Sequence, residues 1–490
     1  MRSKLFVNYT LLFTFCVFLS GCAAATSDDT AKLPITTASP KARELYLQGR
    51  DLQEKLRILA ARPYFQKSVA EDPDFALGHF SLAFTSTSTK EFFASLEKAV
   101  SLSDKASEGE RWWILGAKAG TDGNPVKQRE LWQKLAEKYP HDERCQNILG
   151  GHYFGQQQYK YAIEQYEKAI ELNPEFSQPY NQLGYAYRFL EKYEDSERTF
   201  KKYIEVIPED PNPYDSYAEL LLKIGKFDAS IENYRKALAI DPLFGASYTG
   251  IATDYNYAGE HANARKELQK LYASAQNDGQ RRAAHFATTV SYVHEGNLEM
   301  ALKEQEKMYE LASKINDSAA MSGDVATMAN ILLEFGKPDA ALMKYNKSLK
   351  IMQDSDNSKQ QKDLAERFHH SNLAQVALKK HDLAKAKKHA NEFKVQAEAA
   401  ENRFQIWLAH QLAGMIALEE KDFEKAVTEL EQTNKQNPYN LYRLAMAYKG
   451  KGDTYKARAM FEKAENFNAL NSMNQAFVKI KSQKMMSNKS

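Results

Sequence analysis

The chain has 490 residues, 43% hydrophobic and 27% charged, with 14 prolines and 22 glycines, a composition that excludes a low-complexity or collagen-like chain. Single cores stop growing near ~250 to 300 residues, so this length requires about three domains or one long array. The 66 basic residues nearly balance 64 acidic ones, which leaves no net field to draw nucleic acid or a polyanionic surface.

Residues 1–22, MRSKLFVNYTLLFTFCVFLSGC, carry Arg2 and Lys4 ahead of an apolar run centred on Leu11 to Leu19. The run is too short to span a bilayer as a helix and reads as a secretion signal. Leu19-Ser20-Gly21-Cys22 resembles the lipobox of bacterial lipoproteins. That resemblance implies a signal peptide at 1–21, lipidation of Cys22 and, with Ala23 rather than Asp next, an outer-membrane address facing the periplasm of a Gram-negative cell. Cleavage there removes Arg2 and Lys4 and no acid, leaving 64 charges of each sign. Of three cysteines, Cys16 leaves with the signal and Cys22 is acylated, so Cys145 has no partner for an intramolecular disulfide. Residues 22–41 are small and polar and read as the lipidated cysteine and a flexible tether, reaching at most ~60 Å extended and about 24 Å on average as a coil.

Beyond the tether, Pro140, Pro174, Pro208 and Pro242 stand 34 residues apart, closing phrases such as YEKAIELNP and YRKALAIDP. With each proline at position 32, units begin at 42, 76, 109, 143, 177, 211, 245, 282, 322, 367, 407 and 438. Position 8 is Gly or Ala in eleven of the twelve, the exception being Thr289, and position 20 is Ala or Ser in ten of the eleven units outside the second. Two helices that cross at 8–10 Å leave no room for longer side chains at the crossing, so these positions predict helical hairpins. Positions 4, 7, 11 and 24 recur at helical steps and predict the core stripe.

The phrases WWILG, LGGHY and AIEQYEKA and the closing NP resemble the tetratricopeptide repeat. The resemblance spans about residues 42–469 and implies an all-α fold, an α-solenoid of about twelve hairpins in a right-handed superhelix. A regular array is expected over 42–276 and a longer, degenerate one over 277–469, with its longest insertion at QDSDNSKQQKD, residues 353–363. A capping helix and tail follow at 470–490, since solenoid ends need a polar-faced cap.

In such arrays the inner face comes from positions 2, 5, 9 and 12 of the first helix, with position 13 beside them. In the fourth to seventh units these give Arg144, Asn147, Phe154, Gln178, Asn181, Tyr185, Arg188, Asp215, Glu219, Asn256 and Tyr257, with Phe189 also at position 13. They are expected to be exposed. Asn147 and Asn181, one repeat apart, offer amide donors and acceptors to the backbone of an extended peptide; otherwise they belong to a merely solvated inner face. The Lys, Asn, Asn, Lys, Arg clamp of chaperone-binding relatives is not reproduced.

A second candidate is KKHDLAKAKKHANEFK, residues 379–394, with six lysines, either a contact for lipid phosphate or an acidic partner or a solvated helix face. No HExxH, Walker loop, CxxC or GxSxG motif occurs. His369 and His370 are adjacent and face different sides of one helix, so that helix alone does not bind a metal through both. No catalytic residue, cofactor or metal is expected. The functional expectation is a lipid-anchored, non-enzymatic adaptor that holds a protein or extended peptide of the cell envelope in its concave groove, touching the membrane only through its lipid and binding no nucleic acid. The alternative is an envelope enzyme or small-ligand sensor with its site inside the superhelix.

Overall fold

The small residues that recur along the chain sit where the helices cross. In the fifth hairpin, Ser177–Phe189 with Tyr193–Val206, a Cβ on Gly184 at position 8 would meet the Phe200 ring at 2.5 Å. Ser196 at position 20 donates its hydroxyl to Gly184 O at 2.8 Å, and Ser230 does the same to Ala218 O at 2.9 Å one repeat later. Position 8 thus makes room for two things, the second helix at position 20 and the ring at position 24. Gly49 against Phe65, Gly116 against Trp132 and Gly150 against Tyr166 repeat the arrangement.

This computed structural model describes residues 32–487; the signal peptide read at 1–21 and lipidated Cys22 lie outside them. Twenty-four helices pair as twelve consecutive hairpins, from Pro40–Glu54 with Ile58–Glu71 to Pro438–Lys451 with Thr454–Glu465, and Met473–Ser487 follows. The fold is an all-helical solenoid. No helix among the described residues is long and apolar enough to cross a membrane.

The turn inside each hairpin has one fixed requirement. Position 15 takes a positive φ in every hairpin but the second, six times as glycine and otherwise as Leu56, Gln157, Glu191, His381 and Lys421. Hairpin starts are capped by the side chains of Asp142, Asp210 and Asn437. At the fifth and seventh hairpins the polar residue before proline instead folds back on its own loop: Asn173 accepts from Glu175 N and Asp241 from Leu243 N. The insertion read at 353–363 is only partly a loop. Ser358 and Gln361 form a capping box and start a helix at Lys359 that runs to Lys379, because reciprocal bonds satisfy the otherwise orphaned first-turn amides.

The flexible tether expected through residue 41 ends earlier than that. Leu33 N donates to Asp142 at 2.9 Å, Thr36 N to Glu110 at 2.8 Å and Thr37 Oγ1 to Asp72 at 2.5 Å, while Lys32 pairs with Glu143 at 2.8 Å. These acids stand at the starts of successive hairpins and at the end of one, so residues 32–39 lie across them as a strap. Pro40 then opens the first helix.

The second half of the array lies against the turn edge of the first. Asn402 donates to Gly123 O at 3.3 Å, Arg403 to Gln156 O at 2.8 Å and Gln436 to Phe189 O at 3.3 Å. Each acceptor lies at repeat position 13, 14 or 15. The C-terminal helix packs against the last hairpin through Met485 and Met486 and also reaches further back. Its Ala476 packs in one cluster with Val290, Val293, Ala301 and Ile331 of the eighth and ninth hairpins, and Lys481 pairs with Glu334 at 2.7 Å.

Candidate binding cavity on the concave face

The inner-face residues chosen from the sequence bond mainly to the next repeat, not to solvent. Asn147 donates to Gln178 at 3.0 Å, and Asn181 to Asn212 at 3.1 Å and Ser216 at 2.6 Å. Tyr185 and Arg188 both meet the Glu219 carboxylate, at 2.8 and 2.6 Å. Ser247 donates to Asp215 at 2.7 Å and Ser291 to Asn256 at 2.9 Å. Tyr257 gives its hydroxyl to Ala469 O, and the Lys223 ammonium of the neighbouring repeat lies 3.6 Å from the Phe467 ring centre.

Asn147, Asn181, Arg188, Asp215, Asn256 and Tyr257 are buried, and Arg144, Phe154, Gln178, Tyr185 and Glu219 half-buried. The expectation of an exposed ladder is therefore corrected. First helices of consecutive repeats lie close enough that position 5 faces positions 2, 3 and 6 of its neighbour, and polar groups desolvated there must pair. Phe154 packs on Tyr159 and Phe189 at 5.5 and 5.7 Å.

Burial sets the charge of these seams. It raises Asp215 to about 7, opposed by the Ser247 hydrogen bond and assisted by Glu219. It raises Asp254 to about 8; the Ser230 hydroxyl near it is committed to Ala218 O. Neither acid lines the cavity described next.

A cavity of about 580 Å³ opens between the first helices of hairpins one to five. Its wall includes Tyr46, Arg50, Phe80, Phe84, Trp113, Arg144, Asn147, Gln178 and Gln182. Phe80 holds the aromatic side together, 5.5 Å from Trp113 and 4.9 Å from Phe84 between ring centres. On the polar side Arg144 Nε lies 2.6 Å and Arg50 Nε 3.5 Å from the same Glu54 oxygen. Arg144 Nη1 also lies 2.7 Å from Glu143, so the two guanidinium groups are offset by two carboxylates. His152, also on the wall, is held down to about 4 by burial and by Arg129, so it stands neutral and directs one ring nitrogen to Gln128 Oε1 at 2.9 Å. Arg57 closes the first turn of the array, 3.4 Å from Asp241 and 3.9 Å from Asp210.

Of the sequence-selected residues, Arg144, Asn147 and Gln178 line this cavity and the others do not. Tyr46, Phe80 and Trp113 occupy position 5 and Arg50 and Phe84 position 9 of the first three units, so the same inner-face rule applied there identifies them. Cys145 is buried, and burial raises its thiol well above the ordinary range. In the basic segment 379–394, Lys380 pairs with Asp339 at 2.6 Å, Lys385 with Asp382 at 3.0 Å and Lys394 with Glu398 at 3.7 Å, and Lys387 meets Glu420.

The family described as TPR repeat matches residues 150–188, and that described as Tetratricopeptide repeat matches residues 177–210, 212–242 and 438–469. The chain carries tetratricopeptide repeats. The matched segments coincide with hairpins four to six and twelve, and tetratricopeptide arrays generally serve protein–protein interaction through concave surfaces. No curated protein sequence matches the chain. Among solved structures, a tetratricopeptide-repeat protein of Thermus thermophilus is similar at 18% identity, over 39% of this chain and 99% of its own, with a TM-score of 0.33. The MamA protein is similar at 22% identity, over 34% of this chain and 91% of its own, with a TM-score of 0.29. MamA from Desulfovibrio magneticus is similar at 15% identity, over 35% and 99%, with a TM-score of 0.30.

Proposed function

We propose that this protein is a lipid-anchored adaptor of the bacterial cell envelope, held to the outer membrane through Cys22, that captures a segment of another envelope protein in the cavity of hairpins one to five. The observation that carries this reading is the cavity itself, about 580 Å³ with an aromatic wall facing an arginine pair. That volume takes a few side chains rather than a domain. An aromatic wall supplies apolar area at low entropic cost, and the arginines fix orientation. The partner segment therefore presents an apolar or aromatic side chain with a hydrogen-bond acceptor such as a backbone carbonyl nearby.

Gly151 gives a clean test. It lines the cavity, and a Cβ added there meets nothing within 4 Å, so Gly151→Trp fills the space without displacing backbone. Affinity capture from envelope extracts followed by mass spectrometry should recover one enriched partner with the wild type and lose it with Gly151→Trp. Equal recovery by both forms defeats the cavity as the docking site. Cys22→Ser should move the protein out of the membrane fraction, and unaltered retention defeats the anchor.

The same volume also lies in the range of small-ligand pockets, which supports a second reading, a small-ligand sensor. It predicts a thermal shift with a metabolite extract that Gly151→Trp abolishes, with no protein captured by either form.

A further inference from the structure

The tenth hairpin, Lys359–Lys379 with Leu383–Ala399, brings two histidines and a glutamate to one point. His370 Nδ1 and His389 Nδ1 each lie 3.0 Å from Glu392 Oε2, and 3.3 Å from each other. We propose that His370, His389 and Glu392 form a binding site for a divalent transition-metal ion, with Zn²⁺ the ion that their donor set suits.

The distances are those of a coordination face. Zn²⁺ holds imidazole nitrogen and carboxylate oxygen at about 2.0–2.2 Å, and a tetrahedron of that radius has edges of about 3.3 Å. Three atoms separated by 3.0, 3.0 and 3.3 Å share a point near 2 Å from each, within that range. Two nitrogens and one carboxylate oxygen suit Zn²⁺ and its first-row neighbours better than Ca²⁺ or Mg²⁺, which take oxygen.

The surroundings permit a cation. His389 and Glu392 stand three residues apart on one helix face, and His370 meets them from the paired helix. Side-chain exposures of 23%, 21% and 36% for His370, His389 and Glu392 leave the remaining coordination positions to water or to a donor from a partner. Adjacent lysines are partly neutralised, Lys385 by Asp382 and Lys387 by Glu420. His369 and His370 face different sides of one helix and do not share an ion; the second histidine, His389, comes from the paired helix.

The test is calorimetric titration of the chelator-treated, purified full-length protein with ZnCl₂, with Co²⁺ absorption as a second readout. His389→Ala and Glu392→Gln are compared with His410→Ala, which removes a histidine paired to Glu429 at 2.7 Å in the next hairpin but lacking a second histidine. One Zn²⁺ per chain is expected, with affinity falling at least tenfold in the first two variants and unchanged in the third, at equal helical circular dichroism. No uptake by the wild type, or uptake equal in all forms, overturns the site. If His389→Ala loses helicity, His389→Gln decides by the same criterion.

Discussion

Arg188 of the fifth hairpin lies 2.6 Å from Glu219 of the sixth, in a nearly buried ion pair that also takes the Tyr185 hydroxyl. The guanidinium stacks over the Tyr185 and Phe189 rings at 4.6 and 5.0 Å. Removing one partner of such a pair strands the other charge in the seam, which costs about 3–5 kcal/mol. Arg188→Ala should therefore lower the urea stability of the array by about 3 kcal/mol. A loss under about 1 kcal/mol would show that the pair is dispensable and the seam is held by its rings.

Asp254 is fully buried, and its carboxylate accepts no hydrogen bond. With its pKa raised to about 8 from an unfolded value near ~3.9, the folded state keeps a proton that the unfolded state has released. Stability from this group is therefore present below about pH 4 and is lost as pH rises to about 8. Asp254→Asn should stabilise the protein more at pH 8 than at pH 5, by a difference on the order of 2–4 kcal/mol. Thermal melts at the two pH values check it, and a gain independent of pH contradicts the assignment.

Lys421 is exposed, with φ of 61° at the turn position where six other hairpins carry glycine. A side chain there costs about 1–2 kcal/mol, partly offset by the freedom glycine has when unfolded. Lys421→Gly should raise stability by about 0.5–1 kcal/mol, and Gly452→Lys should lower it by as much or more. Differential scanning calorimetry on the pair decides; a destabilised Lys421→Gly or an unchanged Gly452→Lys would mean that another contact governs the turn.

Leu33 N and Thr36 N each find a carboxylate at the start of a hairpin. Asp142→Ala removes both the helix cap at Arg144 N and the acceptor of Leu33 N, so it should cost about 1–2 kcal/mol and expose the strap. Limited proteolysis near Lys32 is the check, and cleavage should quicken in the variant. An unchanged rate would mean that Glu110 and Asp72 hold the strap without it.

The sequence by itself determined the hairpins, because a small residue at position 8 and another at position 20 act within one repeat, and that requirement recurs every 34 residues. Gly184 and Ser196 state it locally; the Ser358–Gln361 spacing is a local signal of a different kind, a capping box inside the segment read as an insertion. Unit starts agree with the helices within two residues through the seventh hairpin and again at the twelfth; the first helices of the eighth to eleventh begin earlier than the phase predicts, at Asp278, Ser318, Lys359 and Arg403, because added turns precede the small residue without moving it.

Tertiary structure alone decided which polar residues stay free. Asn181 and Tyr46 occupy the same repeat position, yet one is bonded into a seam and the other helps wall a cavity. Solenoid curvature, set by the sum of many small rotations, determines where inner faces meet, and it brings Arg57 to Asp241 and Gln436 to Phe189. Such contacts join residues some 180 to 250 positions apart, and no local pattern encodes them.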